Sequence, residues 1–128
     1  MTDRTAVAGW IARYEQAWRA PGTGALDGLF TPGASYAASP WARPVEGLEA
    51  IRAFWDAGRS GPEEAFRMVS DIVAIDGQVA VVRVAVDYAD GQRWRDLWVL
   101  VLDGDGRCER FEEWPFAPDQ PDGHEDDT

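Results

Sequence analysis

The chain has 128 residues, a length that fits one domain with a real hydrophobic core. Seven Trp and an aromatic content of 12% argue against disorder and for a core or cavity with wide walls. A formal charge of -11 makes nucleic acid, an anionic membrane surface or a polyphosphate a poor partner.

Taken from the start, the apolar residues Val7, Trp10, Ile11, Tyr14 and Trp18 recur in steps of three and four, which predicts a helix over about 6–19. Thr2 or Asp3 is available as its cap. APGTG at 20–24 breaks it, and a short helical turn over 25–30 carries Leu26, Leu29 and Phe30 before TPG stops it. ASYAA at 34–38 reads as a short strand, and SPWARPVEG at 39–47, with two Pro, as a loop. The next helix, from about 47 to 58, points Leu48, Ile51, Phe54 and Trp55 one way.

After RSGPEE the period changes to two. Residues 66–75, 78–88, 92–102 and 107–114 read as four strands, joined by Asp-Gly at 76–77, Asp-Gly at 90–91 and DGDG at 103–106. Asp-Gly is the strongest short hairpin signal, so the strands form an antiparallel meander. Helices followed by a long sheet predict an α+β fold with segregated layers. After Trp114 the chain holds Asp119, Asp122, Glu125, Asp126, Asp127 and three Pro, with no base. The expectation is a single domain over 1–117 and an acidic, disordered tail over 118–128.

All twelve basic residues are Arg, and there is no Lys and no Asn, a pattern that a GC-rich coding sequence explains without selection for arginine chemistry. Cys108 is alone, so no intrachain disulfide forms and a reducing cytoplasm is expected. MTDRTAVAGW lacks a long apolar run and nothing reaches membrane-spanning length, which predicts a cytoplasmic protein.

Several chemistries fall away. DGDG resembles the start of a calcium loop, but the twelfth position from Asp103 is Trp114 rather than Glu, so it is a turn. Without Lys there is no phosphate loop, and His124, the only histidine, lies in the acidic tail. Histidine triads, His-rich zinc sites and imidazole bases are thereby excluded, and no metal or organic cofactor is implied. Cys108 has no histidine partner and reads as a small buried apolar residue.

Carboxylates, arginines and aromatics remain. Most of Asp27, Asp71, Asp87, Asp96, Glu109, Glu112 and Glu113 are expected on solvated faces. Glu112 and Glu113 are adjacent on a strand and face opposite ways, so one looks towards the core, where its pKa would rise. By the same alternation Trp94, Asp96 and Trp98 share one face of their strand, and Arg93, Arg95 and Leu97 the other. Arg83, Asp87, Arg95, Asp96, Arg110 and Glu112 lie on neighbouring strands and could form a cross-strand ladder of opposite charges.

The order of these elements resembles the nuclear transport factor 2-like superfamily, and within it the small bacterial SnoaL-like group, over about residues 5–117. The family's leucine-phenylalanine step with its small-x-aromatic sequel is similar to Leu29, Phe30, Ala34 and Tyr36. Its glycine-led helix is similar to Gly47, Ala50, Ile51, Phe54 and Trp55, and its last strand to Asp105-Gly106-Arg107 with Glu112-Glu113-Trp114. The resemblance implies a cone: a curved antiparallel sheet wrapped around N-terminal helices, with a pocket at the open end. Its enzymes include steroid isomerases, epoxide hydrolases, dehydratases and polyketide cyclases, and other members bind small molecules or proteins, so the fold alone licenses no activity.

Against those patterns, the pocket histidines of the dehydratases are missing. The Asp-Arg-Asp spacing of the epoxide hydrolases is poorly matched, because Arg95 and Asp96 are adjacent. If the chain is an enzyme, the expectation is a cofactor-independent isomerase/cyclase or hydrolase that uses a carboxylate, with Asp96 or Glu113 as general acid or base, Tyr14 as hydrogen-bond donor, and Arg95 or Arg83 as anion partner. The expected ligand is a small apolar or aromatic molecule. Expected walls are Trp10, Trp18, Tyr36, Trp41 and Trp55, with Trp94, Trp98, Phe111 and Trp114 from the sheet. The alternative is a non-catalytic homodimeric interaction protein whose sheet face serves assembly. The side taken by Trp94 and Trp98 separates the two: towards the helices for a ligand, outward for a dimer.

Overall fold

The computed structural model describes residues 2–58 and 65–120, so RSGPEE at 59–64 and the acidic run 121–128 lie outside the described residues. Helix α1 runs Arg4–Arg19, and the Oδ1 of Asp3 accepts from the Ala6 amide at 2.8 Å to cap it. Its apolar stripe of Val7, Trp10, Ile11, Tyr14 and Ala17 is buried, as the three-and-four spacing requires. A short 3-10 turn, Gly24–Gly28, buries Leu26. Strand β1 spans Phe30–Ala37, β2 is Val45–Glu46, and α2 is Leu48–Gly58 with Ile51 and Trp55 buried.

The remaining strands are β3 Phe66–Asp76, β4 Val79–Tyr88, β5 Arg93–Leu102 and β6 Cys108–Phe116. The expected meander is present, each strand antiparallel to the next, and Gly77, Gly91 and Gly106 hold the positive φ that its turns need. In the last turn Asp103 Oδ1 accepts from the amides of Asp105 at 2.9 Å and Arg107 at 3.0 Å.

The α+β fold expected from the element order is the fold found, with one difference. The six strands run in the order β2-β1-β6-β5-β4-β3, and β1 pairs with β6 in parallel, so the curved sheet is mixed rather than wholly antiparallel. Parallel pairing brings together segments far apart in sequence and leaves no local turn signature. It also moves the start of β1: Phe30 sits opposite Cys108, and the Cys108 amide donates to the Leu29 carbonyl at 2.7 Å. The sheet is bulged between Ile72 and Ala74 and between Val101 and Leu102.

The helices cover the inner face. Ala80, Val82 and Val84 from β4, Leu100 and Leu102 from β5, and Cys108 and Phe111 from β6 pack with the stripes of α1 and α2 into one core. No described helix is long and apolar enough to cross a membrane. Strand β5 alternates cleanly, its buried residues being Asp96, Trp98, Leu100 and Leu102. That alternation carries the core face of the sheet beyond the helices into a cavity.

Candidate functional site

A cavity of about 330 Å³ opens where the inner sheet face outruns the two helices. That is within the usual size of small-molecule pockets. Helix α1 contributes Tyr14 and Trp18, β1 Tyr36, and α2 Phe54. Phe66 and Met68 of β3 and Val86 and Tyr88 of β4 make the far wall, while Trp94, Asp96 and Trp98 of β5 and Glu113 and Pro115 of β6 complete it. The walls are thus aromatic and apolar, interrupted by two carboxyl groups and the phenols.

The carboxyls meet because of register. Trp98 stands opposite Glu113 and Asp96 opposite Pro115, which makes Asp96 and Glu113 diagonal neighbours on the inner face. Asp96 is only 7% exposed. Its Oδ2 accepts from the Trp98 indole at 3.4 Å, and its buried Oδ1 makes no hydrogen bond. Burial pushes the Glu113 carboxyl up to about 9, and a hydrogen bond to Asp96 and that acid's charge push the same way. Glu113 therefore keeps its proton at neutral pH.

Beside the acids, the Tyr14 and Tyr36 hydroxyls are 3.1 Å apart and share a hydrogen bond. Burial raises both phenols well above their ordinary value, and the neighbouring acids push the same way, so both stay protonated donors. Their rings are clamped from behind: Phe111 stacks on Tyr14 at 5.5 Å and on Tyr36 at 4.7 Å, and Trp98 lies 4.7 Å from Tyr14. A site built this way presents donors, acceptors and one transferable proton on rigid elements in a poorly solvated space.

Of the residues nominated from sequence, Tyr14, Trp18, Tyr36, Trp94, Trp98, Asp96 and Glu113 line the cavity. Trp10, Trp55 and Phe111 lie fully in the core behind it, Trp10 donating its indole N–H to the Leu29 carbonyl at 2.9 Å. Trp41 stands in solvent, 97% exposed, on the loop after β1. Trp114 is on the outer sheet face, donating to Glu112 at 2.6 Å. Arg83 and Arg95 also sit on the outer face, pairing with Asp71 at 3.6 Å and Asp87 at 3.0 Å, away from the acid pair. Of the charge ladder expected there, Asp87 and Arg95 pair, Arg83 turns to Asp71, and Asp96 faces the cavity instead.

The sequence-derived site omits Phe54, Phe66, Met68, Val86 and Tyr88. Period two places Phe66 and Met68 on the face of Ile72, and Val86 and Tyr88 on the face of Val84, so the signal was present. What alternation lacks is where the helix cover ends, which turns the same face from core into cavity.

A family model described as a SnoaL-like domain matches residues 11–111. No curated protein sequence matches the chain. Among solved structures the chain is similar to a candidate SnoaL-like polyketide cyclase from Jannaschia sp. CCS1, with a TM-score of 0.71, 20% identity, and coverage of 90% of this chain and 91% of that one. It is also similar to the epoxide hydrolase/cyclase-like enzyme SalBIII of pyran ring formation in the polyether salinomycin, with a TM-score of 0.70, 17% identity and coverage of 91% and 95%. A third, a candidate isomerase of the SnoaL-like family from Agrobacterium tumefaciens str. C58, has a TM-score of 0.68, 18% identity and coverage of 88% and 98%. At these identities the likeness is one of fold.

Proposed function

We propose, starting from the fact that this chain belongs to the SnoaL-like domain family, that its cavity binds an apolar or aromatic small molecule and moves a proton on it. One observation carries this reading: two carboxyl groups converge in an otherwise aromatic cavity, and one of them keeps its proton at neutral pH. Glu113 is the general acid, Asp96 the base, and Tyr14, backed by Tyr36, the donor that holds a developing oxyanion. The reaction class is a cofactor-independent isomerisation or cyclisation run by side chains alone. The cyclase and isomerase descriptions of the similar structures support that class. The single buried cysteine fits a reducing bacterial cytoplasm.

Native mass spectrometry of the freshly purified chain tests binding: a co-purified small molecule that leaves on denaturation is the expected result. With that molecule as substrate, Glu113→Gln or Asp96→Asn is expected to lower kcat by about 10²–10⁴-fold. Unchanged turnover in both variants would remove the catalytic part of the reading and leave a binding protein.

A second reading concerns assembly. Trp94 and Trp98 face the cavity, so the aromatic face of β5 is not the assembly surface. The outer face nevertheless exposes Val69 at 55%, Phe116 at 48% and Trp114 at 38%. Phe116 and Val69 lie in one cross-strand row with Arg95 and Ala85, and Trp114 in the next with Leu97 and Arg83. Exposed apolar side chains interspersed with the ion-paired Arg95 and Arg83 favour pairing of two copies through the sheet.

A further inference from the structure

We propose that the ligand of this cavity carries a protonated amine, seated against Asp96 and Glu113 and faced by the aromatic rings. The proposal rests on the reading of the cavity as a small-molecule site and names the chemical class that the site takes.

Three features of the geometry point there. The first is the unpartnered oxygen. Asp96 is 7% exposed, its Oδ2 is engaged by Trp98, and its Oδ1 is buried on the cavity wall without a hydrogen bond. The protonated Glu113 carboxyl, hydrogen-bonded to Asp96, offers that acid one donor; the wall supplies no other to the buried Oδ1, and a donor brought by the ligand does.

The second is the balance of charge. Asp96 on β5 and Glu113 on β6 line the cavity together with Tyr14 on α1, Tyr36 on β1 and Tyr88 on β4, and no basic side chain among the described residues lines it. One described cation touches a wall residue from outside the lining: the Arg19 guanidinium lies 3.9 Å over the Phe66 ring and is bound to Glu15 at 2.7 Å. The acid pair thus lacks a positive partner from the described protein. A neutral polar ligand could supply one hydrogen bond, but an ammonium group supplies up to three donors and the compensating charge.

The third is the wall itself. Trp18, Tyr36, Phe54, Trp94 and Trp98 line the same cavity as the two acids. Aromatic rings around a carboxyl group are the recognition chemistry of organic ammonium ions, because each ring face carries negative quadrupole density. A purely apolar ligand would use the rings and leave the acids unsatisfied. A net charge of -11 further favours the approach of a cation over an anion.

The test compares three probes of one shape, phenylpropylamine, phenylpropanol and phenylpropanoate. Each is titrated into the full-length chain near pH 7.5, with tryptophan fluorescence and calorimetry as readouts. The amine is expected to bind about tenfold or more tighter than the alcohol, and the carboxylate weakest. In Asp96→Asn, whose side chain has the same size, the preference for the amine over the alcohol is expected to disappear. Equal or tighter binding of the alcohol overturns the amine assignment and leaves the small-molecule reading standing. Tightest binding of the carboxylate overturns it and points to a cationic partner at the site. If none of the three perturbs the tryptophans or produces heat, both readings fall. The wild-type comparison decides these outcomes even if the variant folds poorly.

Discussion

At the scale of single residues, the chemistry of the site comes from placing two acids, Asp96 buried and Glu113 half-buried, among aromatic walls. Glu113 is flanked by Trp98 across the strand pair and by Asp96 on the diagonal, so its charged form loses hydration and meets a second acid. The consequence for stability has a definite sign. Below about pH 4.5, its ordinary value, Glu113 is protonated in both the folded and the unfolded chain. Between that value and about 9 only the folded chain keeps the proton, so this group's contribution to stability declines as pH rises through the window. The decline approaches about 1.4 kcal/mol per pH unit at most. Urea midpoints of Glu113→Gln between pH 5 and 8.5 are expected to fall less steeply than those of the parent chain. Parallel slopes would show that Glu113 ionises normally. Alternation along β5 and β6 is enough to nominate Asp96 and one of the pair Glu112 and Glu113 from sequence. Their meeting depends on the β5–β6 register, shifted by the bulge near Leu102, which no local pattern announces.

Among elements, the ones with local signals were legible. Helix α1 announces itself by spacing and by Asp3, whose carboxylate takes the Ala6 amide that the first turn leaves without a partner. Asp3→Ala is expected to lower unfolding free energy by about 1 kcal/mol, read from urea denaturation, without altering ligand binding. A loss of binding with unchanged stability would mean that α1 is positioned by something other than its cap. The four strands of the meander are equally legible, because alternation and Asp-Gly turns are properties of adjacent residues. Strand β1 is less so: ASYAA marks only its second half, and Phe30 to Gly33 join the sheet because β6 is there to pair with them. Trp41 shows the opposite limit. Its size suggests a wall, but Pro40 and Pro44 hold it on a loop that no element covers.

Across the whole molecule, one aromatic cluster serves both as core and as the floor of the cavity. Phe111 is fully buried and touches the rings of Trp10, Tyr14, Phe30, Tyr36 and Trp98. Phe111→Ala is expected to cost about 3–5 kcal/mol and, by loosening the tyrosine pair, to weaken ligand binding as well. Stability lost with binding retained at permissive temperature would separate floor from cavity. On the opposite face, sedimentation at micromolar concentration is expected to give the mass of two chains, and Phe116→Glu that of one. A one-chain mass for the parent protein would end the assembly reading.

Helix stripes, strand alternation, turns, the α+β class and the short roster of groups able to do chemistry are legible in the residues alone. These follow from spacing along the chain and from residue type, which act locally. That β1 lies parallel to β6, that the tryptophan face of β5 looks inward, and that Asp96 and Glu113 line one cavity emerge only on folding. Those outcomes depend on which distant strands pair, in what register, and on how far the helices cover the sheet. They are settled by the burial of the whole apolar surface at once rather than by any stretch of residues alone.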